Sequence, residues 1–201
     1  KIFAVDINEE AVEETRRLII ASAGICTSHV ADVSDTEQVQ EIVQKCINEF
    51  GRIDILHNNV GGSIPGGPAE MSEETWQAQI DHNLTHVYLM CRYVLPIMEQ
   101  QGKGVIINIS STSGIRYSGH GHAAYAATKA AIIQLTRSIA LQYAKKGIRC
   151  NSILPGLMHT PMVEARLASH RTDGDSKKLI EDRNNAVPMG WMGDGRDTAN
   201  A

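Results

Sequence analysis

In the stretch AAYAATKAA, residues 123–131, a tyrosine stands four positions before a lysine among small residues. Alanine is the strongest helix former, so the spacing predicts one helix with Tyr125 and Lys129 on the same face, their Cβ atoms ~5–6 Å apart. A phenol beside an ammonium can give and take a proton at a bound oxygen. A free phenol, with a pKa of ~10, is a poor base at neutral pH, and a nearby positive charge favours the phenolate. The ordinary reading of the pair is a solvated helix face, where such spacings are common. The elements that flank the pair decide between the two.

Those elements alternate. KIFAVDI at 1–7 predicts a buried strand, and EEAVEETRRLIIAS after it an amphipathic helix. ICTSHVADV at 25–33 predicts a second strand, followed by a helix from Asp35 to Phe50. IDILHNNV at 53–60 predicts a third strand, which runs into the loop GGSIPGGP. A long helical region follows from Ser72 to about Gln100, broken once near Asp81 to Asn83. GVIINISS at 104–111 predicts a fourth strand, the Tyr125 helix comes next, and GIRCNSILPG at 147–156 holds a fifth strand. Strands alternating with helices of this length imply βαβ units: an α/β fold with a doubly wound parallel sheet in a single domain, 1–201. Residues 157–190 turn irregular and polar, as expected of an excursion over the sheet edge.

In an open parallel sheet, ligands bind beyond the carboxyl ends of the strands. Asp6, Asp32, Asn58, Asn59, Ser110, Ser111, Pro155 and Gly156 all fall at such ends. Tyr125 lies in the first turns of the helix that follows Ser111. One crevice could hold them all, which moves the tyrosine–lysine pair from the ordinary reading to the functional one.

At this point the chain resembles the short-chain dehydrogenase/reductase family along nearly its whole length. NNVG at 58–61 is similar to the family's Asn-Asn-Ala-Gly turn, DHNL at 81–84 to the segment with its active-site asparagine, and NISS at 108–111 to the strand end with its serine. YAATK is the Tyr-x-x-x-Lys motif, and PGLMHTPM at 155–162 resembles the Pro-Gly-x-x-x-Thr cofactor segment. Ser111 precedes Tyr125 by one position more than the family spacing, and the loop IRYSGHGH accommodates the extra residue. Thr112 keeps a lesser claim to the serine's place.

The resemblance implies a Rossmann-type oxidoreductase that interconverts a secondary alcohol and a ketone by hydride transfer. It assigns Tyr125 as the acid/base, Lys129 as its electrostatic partner and holder of the nicotinamide ribose, Ser111 as the group that positions the substrate oxygen, and Asn83 as the holder of a water. It places the cofactor against Asp6, Asp32, Val33, Asn59, Gly61, Tyr125, Lys129, Pro155, Gly156, Met158 and Thr160. Asp6 would accept the adenosine ribose hydroxyls, which favours NAD over NADP; its alternative reading is a charge at a helix start. The implied substrate is a small alcohol or carbonyl compound, and the implied assembly a homotetramer or homodimer. A non-catalytic cofactor sensor or scaffold of the same fold is the alternative, but serine, tyrosine and lysine are all present. An extended-branch epimerase needs a larger substrate domain.

The family's glycine-rich turn precedes the ribose-reading acid by ~20 residues. Here that acid is residue 6, so the reading expects an incomplete record of a longer protein rather than a natural short form. The first strand and its turn would be absent, the sheet would have an unpaired edge in its middle, and MGDGRDTANA would begin a helix leading to a last strand. GGSIPGG follows the wrong strand to replace the turn.

Composition narrows the other classes. A net charge of −4 without a Lys/Arg cluster gives no field for nucleic acid. No apolar run reaches the ~18 residues of a membrane span. Cys26, Cys46, Cys91 and Cys150 form no C-x-x-C pair, so free thiols and a cytoplasmic location are expected. His82 and His86 have zinc-like spacing but no third ligand in the pattern, so no metal is expected. His120 and His122 are expected to border the substrate entrance.

Overall fold

The computed structural model describes residues 1–119, 121–161, 163 and 176–201. They fall into two compact units, Lys1–Ser152 and Ile153–Ala201. The element order is β1 (Ile2–Asp6), α1 (Glu9–Ala21), β2 (Cys26–Val30), α2 (Thr36–Phe50), β3 (Ile55–Asn58), α3 (Glu73–Ile80), a π-helical turn (Asp81–Thr85), α4 (His86–Gln101), β4 (Gly104–Ile109), a 3-10 turn (Thr112–Gly114), α5 (Ala123–Tyr143) and β5 (Ile148–Ile153). Two further helices, α6 (Ser176–Asn185) and α7 (Gly195–Ala199), belong to the second unit. The helix expected at the start of MGDGRDTANA is α7, opened by an Asp194–Asp197 capping box.

Polar side chains set the helix starts. The side chains of Asn8, Asp35 and Ser72 accept N–H bonds from Ala11, Gln38 and Thr75, so each helix has one of its orphan donors satisfied. Gly51, at φ 75°, ends α2 in the left-handed conformation that glycine adopts without penalty. The expected break in the long helical region is the π turn, which carries Asn83. Such turns insert one extra residue per helical repeat and re-aim the side chains around them.

The strands are parallel, as the βαβ pattern requires, with Ile2 opposite Cys26 and Ile55 opposite Val105. Their pairing runs in two groups, β1–β2 and β3–β4–β5, instead of one continuous sheet. Exposed Ile2 and Ile55 lie on β1 and β3.

The first unit holds a large core and a small second cluster of Ala4, Val12 and Cys26. Ile42 and Val43 of α2, Val87, Val94 and Met98 of α4, Ile106 of β4 and Ile132 and Ile139 of α5 are buried together, with Phe3 and Val5 packed against them. Each such side chain contributes ~1.5–3 kcal/mol on burial. Within this apolar layer runs a polar chain. Asn58 Nδ2 donates to Asn108 Oδ1 at 2.9 Å, Asn108 Nδ2 donates to Thr136 Oγ1 at 2.9 Å, and Thr136 Oγ1 donates to the Ile132 carbonyl at 2.8 Å. All three side chains are buried. The chain ties β3 to β4 and β4 to α5 just below the strand ends that carry the site.

Removing its middle member takes from Asn58 its amide acceptor and from Thr136 Oγ1 its donor in a dry interior. Asn108→Ala should therefore destabilise the protein by about 2–4 kcal/mol, read as a lowered urea midpoint at unchanged slope. Asn108→Ala within ~0.5 kcal/mol of the parent, as for a surface position, would show that the chain is dispensable.

Candidate active site

α5 packs its first turns beneath the end of β4, and the contact is close because the residues between them are small. A Cβ added at Gly114 would lie 2.8 Å from the Ala130 nitrogen and 2.8 Å from the Lys129 carbonyl carbon. Only glycine lets the 3-10 turn lie on the helix backbone there. Ser110 completes the join, its Oγ donating to the Lys129 carbonyl at 2.7 Å. Its hydroxyl is thus committed to the helix. Ser111 Oγ instead accepts the Ser113 N–H at 3.1 Å, which leaves its own proton for another acceptor.

Tyr125 is half-buried and Lys129 only 3% exposed. Lys129 Nζ lies 5.5 Å from the centre of the Tyr125 ring and donates to the Ile109 carbonyl at 2.9 Å. No carboxylate pairs with it among the described residues, so two of its three N–H donors remain available. Burial pulls this ammonium down to about 8.

Asn83 approaches from the opposite side. A Cβ added at Gly61 would sit 3.0 Å from Asn83 Oδ1 and 3.0 Å from Lys129 Nζ, so these two side chains flank the α-carbon of Gly61. The Asn83 side chain is fully engaged, accepting from Gly62 N at 2.9 Å and donating to Gly62 O at 2.9 Å and Gln79 O at 3.0 Å. It fixes the loop after β3, and the water expected at Asn83 has no free side-chain donor to meet it. Gln79, which the sequence reading passed over, extends this hold by accepting the Ile64 N–H at 3.0 Å. Its signal was the i,i+4 spacing from Asn83 on a buried face.

Asp6 ends β1 as expected, whereas β2 stops at Val30 and Asp32 lies two residues beyond it. Asp6 Oδ1 accepts the Asn8 N–H at 2.9 Å. No guanidinium of the following helix is free to face it, since Arg16 pairs with Glu13 and Arg17 with Glu14. Asp32 Oδ1 accepts the Ser34 hydroxyl at 2.6 Å and the Ser34 N–H at 2.8 Å, and these bonds hold its carboxyl below the usual range. Val33 packs against the core, and Asn59 is exposed after β3. Pro155, Gly156, Met158 and Thr160 belong to the second unit, where Met158 bridges to Gly193 and Thr160 O accepts the Val163 N–H at 2.9 Å.

His86 is buried with neither ring nitrogen hydrogen-bonded, and burial followed by the nearby Lys129 charge lowers it to about 4. No group of three or more metal-binding side chains converges among the described residues. A cleft of about 300 Å³ opens beside the α5 start, with His122 in its wall. His120 lies outside the described residues.

The profile of the short chain dehydrogenase family matches residues 1–171. The chain is 36% identical over 193 residues to oxidoreductase UcpA of Escherichia coli (strain K12), covering 96% of this chain and 73% of that protein. It is 33% identical over 198 residues to the 3-oxoacyl-[acyl-carrier-protein] reductase FabG of Thermotoga maritima, covering 98% and 76%. Among solved structures, a candidate short-chain dehydrogenase/reductase from Burkholderia xenovorans superposes with a TM-score of 0.93 at 47% identity, covering 98% of this chain and 74% of that one. This chain belongs to the short chain dehydrogenase family. Its Rossmann-like α/β fold follows from the same comparisons, and levodione reductase, at TM-score 0.92 and 31% identity over all of this chain and 78% of its own, shares it.

A buried ammonium without a carboxylate costs this short-chain dehydrogenase stability, and the sign can be worked out. Lys129 takes up protons less readily when folded (about 8) than at its ordinary value of 10.5. Between those two values the unfolded chain binds more protons, so stability rises with pH in that window and the cost is present in full below it. Relative to Lys129→Met, the parent should gain up to ~3 kcal/mol between pH ~8 and ~10.5, at ~1.4 kcal/mol per unit. Urea unfolding of both proteins across that range measures it. Parallel pH profiles would mean that the ammonium is solvated in the folded protein.

Proposed function

We propose that the protein is an NAD(H)-dependent oxidoreductase that interconverts a secondary alcohol and a ketone, as an alcohol dehydrogenase or a carbonyl or 3-oxoacyl reductase. The observation that carries this reading is the buried Lys129 ammonium, unpaired with any described carboxylate, one helical turn from Tyr125. A charge held at that cost in stability serves a group that must lose and regain a proton nearby.

The residues fit a nicotinamide dinucleotide. Asp6, Asp32, Asn59 and Gly61 all lie at the carboxyl ends of parallel strands, where this fold class binds ligands. Lys129 keeps donors for ribose hydroxyls. Pro155, Gly156, Met158 and Thr160 hold the nicotinamide end in this reading, and Val33 borders the adenine. When bound, the cofactor supplies or accepts the hydride at the carbon that bears the oxygen. Tyr125 gives a proton to that oxygen in reduction and removes it in oxidation. Lys129 stabilises the phenolate between the two events. Ser111 donates to the substrate oxygen and fixes its direction. Asn83 acts by holding the loop at Gly61 and Gly62 against Lys129.

The substrate is a small alcohol or carbonyl compound. The four described cysteines are free, which supports a cytoplasmic setting, and no helix among the described residues is long and apolar enough to cross a membrane. Tyr88 of α4 and Leu141 of α5 are exposed, the latter at 82%, and would be covered in a homodimer or homotetramer built on these helices.

Tyr125→Phe tests the chemistry. The phenyl ring keeps the packing, so NADH binding should persist while kcat falls by ~10²–10⁴-fold. Turnover within about threefold of the parent, far less than such a group supplies, would remove Tyr125 from the mechanism.

Cofactor choice rests on Asp6. A 2′-phosphate would bring like charges together, at about 4 kcal/mol for ~4 Å and an effective dielectric of ~20, and halving this for screening leaves ~30-fold. Glu9 and Glu10 begin α1 and add to the repulsion. The parent should therefore show the higher kcat/KM with NAD(H), and Asp6→Ser should narrow the gap. A parent that favours NADPH would overturn the assignment.

A further inference from the structure

The cleft beside α5 says something about the substrate. Its wall comes from the loop after β3 (Gly67, Pro68), the segment before α5 (Arg116, Tyr117) and the first turns of α5 (Ala123, Ala126). Ala126 follows Tyr125 in α5, and Ser113, also in the wall, lies two residues beyond Ser111, so the wall is built from chain neighbours of both groups assigned to the reaction. The two rims are fastened together. Gly66 N donates to Gly121 O at 2.8 Å, and Ala123 N donates to Gly66 O at 3.2 Å. The cleft is therefore a formed feature with a wall largely of carbon.

Arg116 is the one charged side chain among the described residues of that wall. Four other arginines of the first unit are spoken for: Arg16 by Glu13, Arg17 by Glu14, Arg52 by Asp54 and Arg92 by the Tyr88 hydroxyl. The Arg116 guanidinium has no ion pair or hydrogen bond among the described residues. Glu70, the acidic residue nearest in sequence to the Gly67 rim, is turned onto its own loop, accepting the Gly67 N–H at 2.9 Å. A planar five-donor fork on a carbon-walled cleft suits a ligand with an apolar body and a carboxylate at one end.

We propose that Arg116 is a specificity-determining residue and that the substrate is a keto acid, or the matching hydroxy acid, whose carboxylate pairs with its guanidinium while the carbonyl faces Tyr125. This rests on the assignment of the cleft to the reaction of Tyr125. Residue 116 sits on a loop fixed at both ends, by the 3-10 turn and by the start of α5, so its side chain is held beside the site without belonging to the proton-transfer machinery. Selectivity then arises because a neutral analogue leaves the guanidinium with water alone.

The test uses the protein with NADH and a series of aryl keto acids, differing in the number of bonds between ketone and carboxylate, each beside its methyl ester. The parent should favour one acid over its ester by about tenfold or more in kcat/KM, a modest value for an exposed charge-assisted pair. In Arg116→Gln, KM for that acid should rise about tenfold with kcat nearly kept, as expected when binding is lost equally in ground and transition states. The ester should be unaffected, Arg116→Lys should recover part of the loss, and added salt should shrink the preference. A parent that turns over acids and esters alike, or a Gln variant that loses both equally, overturns the proposal while leaving the oxidoreductase reading intact. Failure to turn over any ketone would count against that reading instead, and calorimetry with benzoate and benzamide on the NAD-saturated protein then decides the anion preference by itself. Benzoate binding no tighter than benzamide, or unchanged in Arg116→Gln, overturns it.

Discussion

The ammonium of Lys129 is held in the interior by a single carbonyl, that of Ile109. Much else in the first unit serves to keep that turn of α5 where it is. Ser110 bonds the carbonyl of the same residue, Gly114 lies on its backbone, and Gly61 leaves the space in which Nζ sits. The Asn58–Asn108–Thr136 chain holds the two strands and the helix in register one layer below. A side chain of any size at Gly61 or Gly114 would push the ammonium or the helix backbone away. The small residues around the opening Tyr-x-x-x-Lys pair therefore reflect geometry: the helix must approach a strand end and a loop to within backbone contact.

That geometry explains which parts of the sequence were legible. The alternation of strands and helices, the parallel pairing and the Tyr125–Lys129 face could all be read, since apolar periodicity and i,i+4 spacing are local properties. Strand ends were read too long, and the reason is the same each time: side chains capture the backbone just past the apolar run. Asp32 turns the chain after β2 through Ser34, Asn83 draws the loop after β3 by way of Gly62, and Ser110 leaves β4 for the carbonyl of Lys129. The Asp32–Ser34 turn is local, but the other two captures join residues 21 and 19 positions apart, which no short window of the sequence contains.

The same limit applies to roles within the site. Motif spacing prefers Ser111 over Ser110, and the two hydroxyls differ in the fold: that of Ser110 is spent on the helix, and that of Ser111 retains its proton. Gln79 and Arg116 belong to no motif. Each acquires its meaning from a loop that the sequence leaves unfolded: Gln79 from the chain at Ile64, Arg116 from a cleft whose rims join through Gly66 and Gly121. The Asn83 side chain pins the loop at Gly62 beside Lys129, a long-range contact that its motif does not show.

Among the described residues no buried polar group of the first unit brings an opposite charge to Lys129. His86 is held neutral at about 4, chiefly by burial. Burial likewise pushes the Cys91 thiol up to about 12 and that of Cys150 to about 11, so neither thiol ionises in the working range. Asn58, Asn108 and Thr136 satisfy one another without charge. Asp32 does ionise, but its carboxylate is turned onto Ser34. A carboxylate placed beside Lys129 would relieve the cost of burying it, and would also neutralise the field that favours a phenolate at Tyr125. A neutral surround leaves that cost in place and keeps the field. The fold thus gives up stability at this point to preserve an unbalanced charge beside the phenol, the arrangement that the proton transfer proposed at Tyr125 would require.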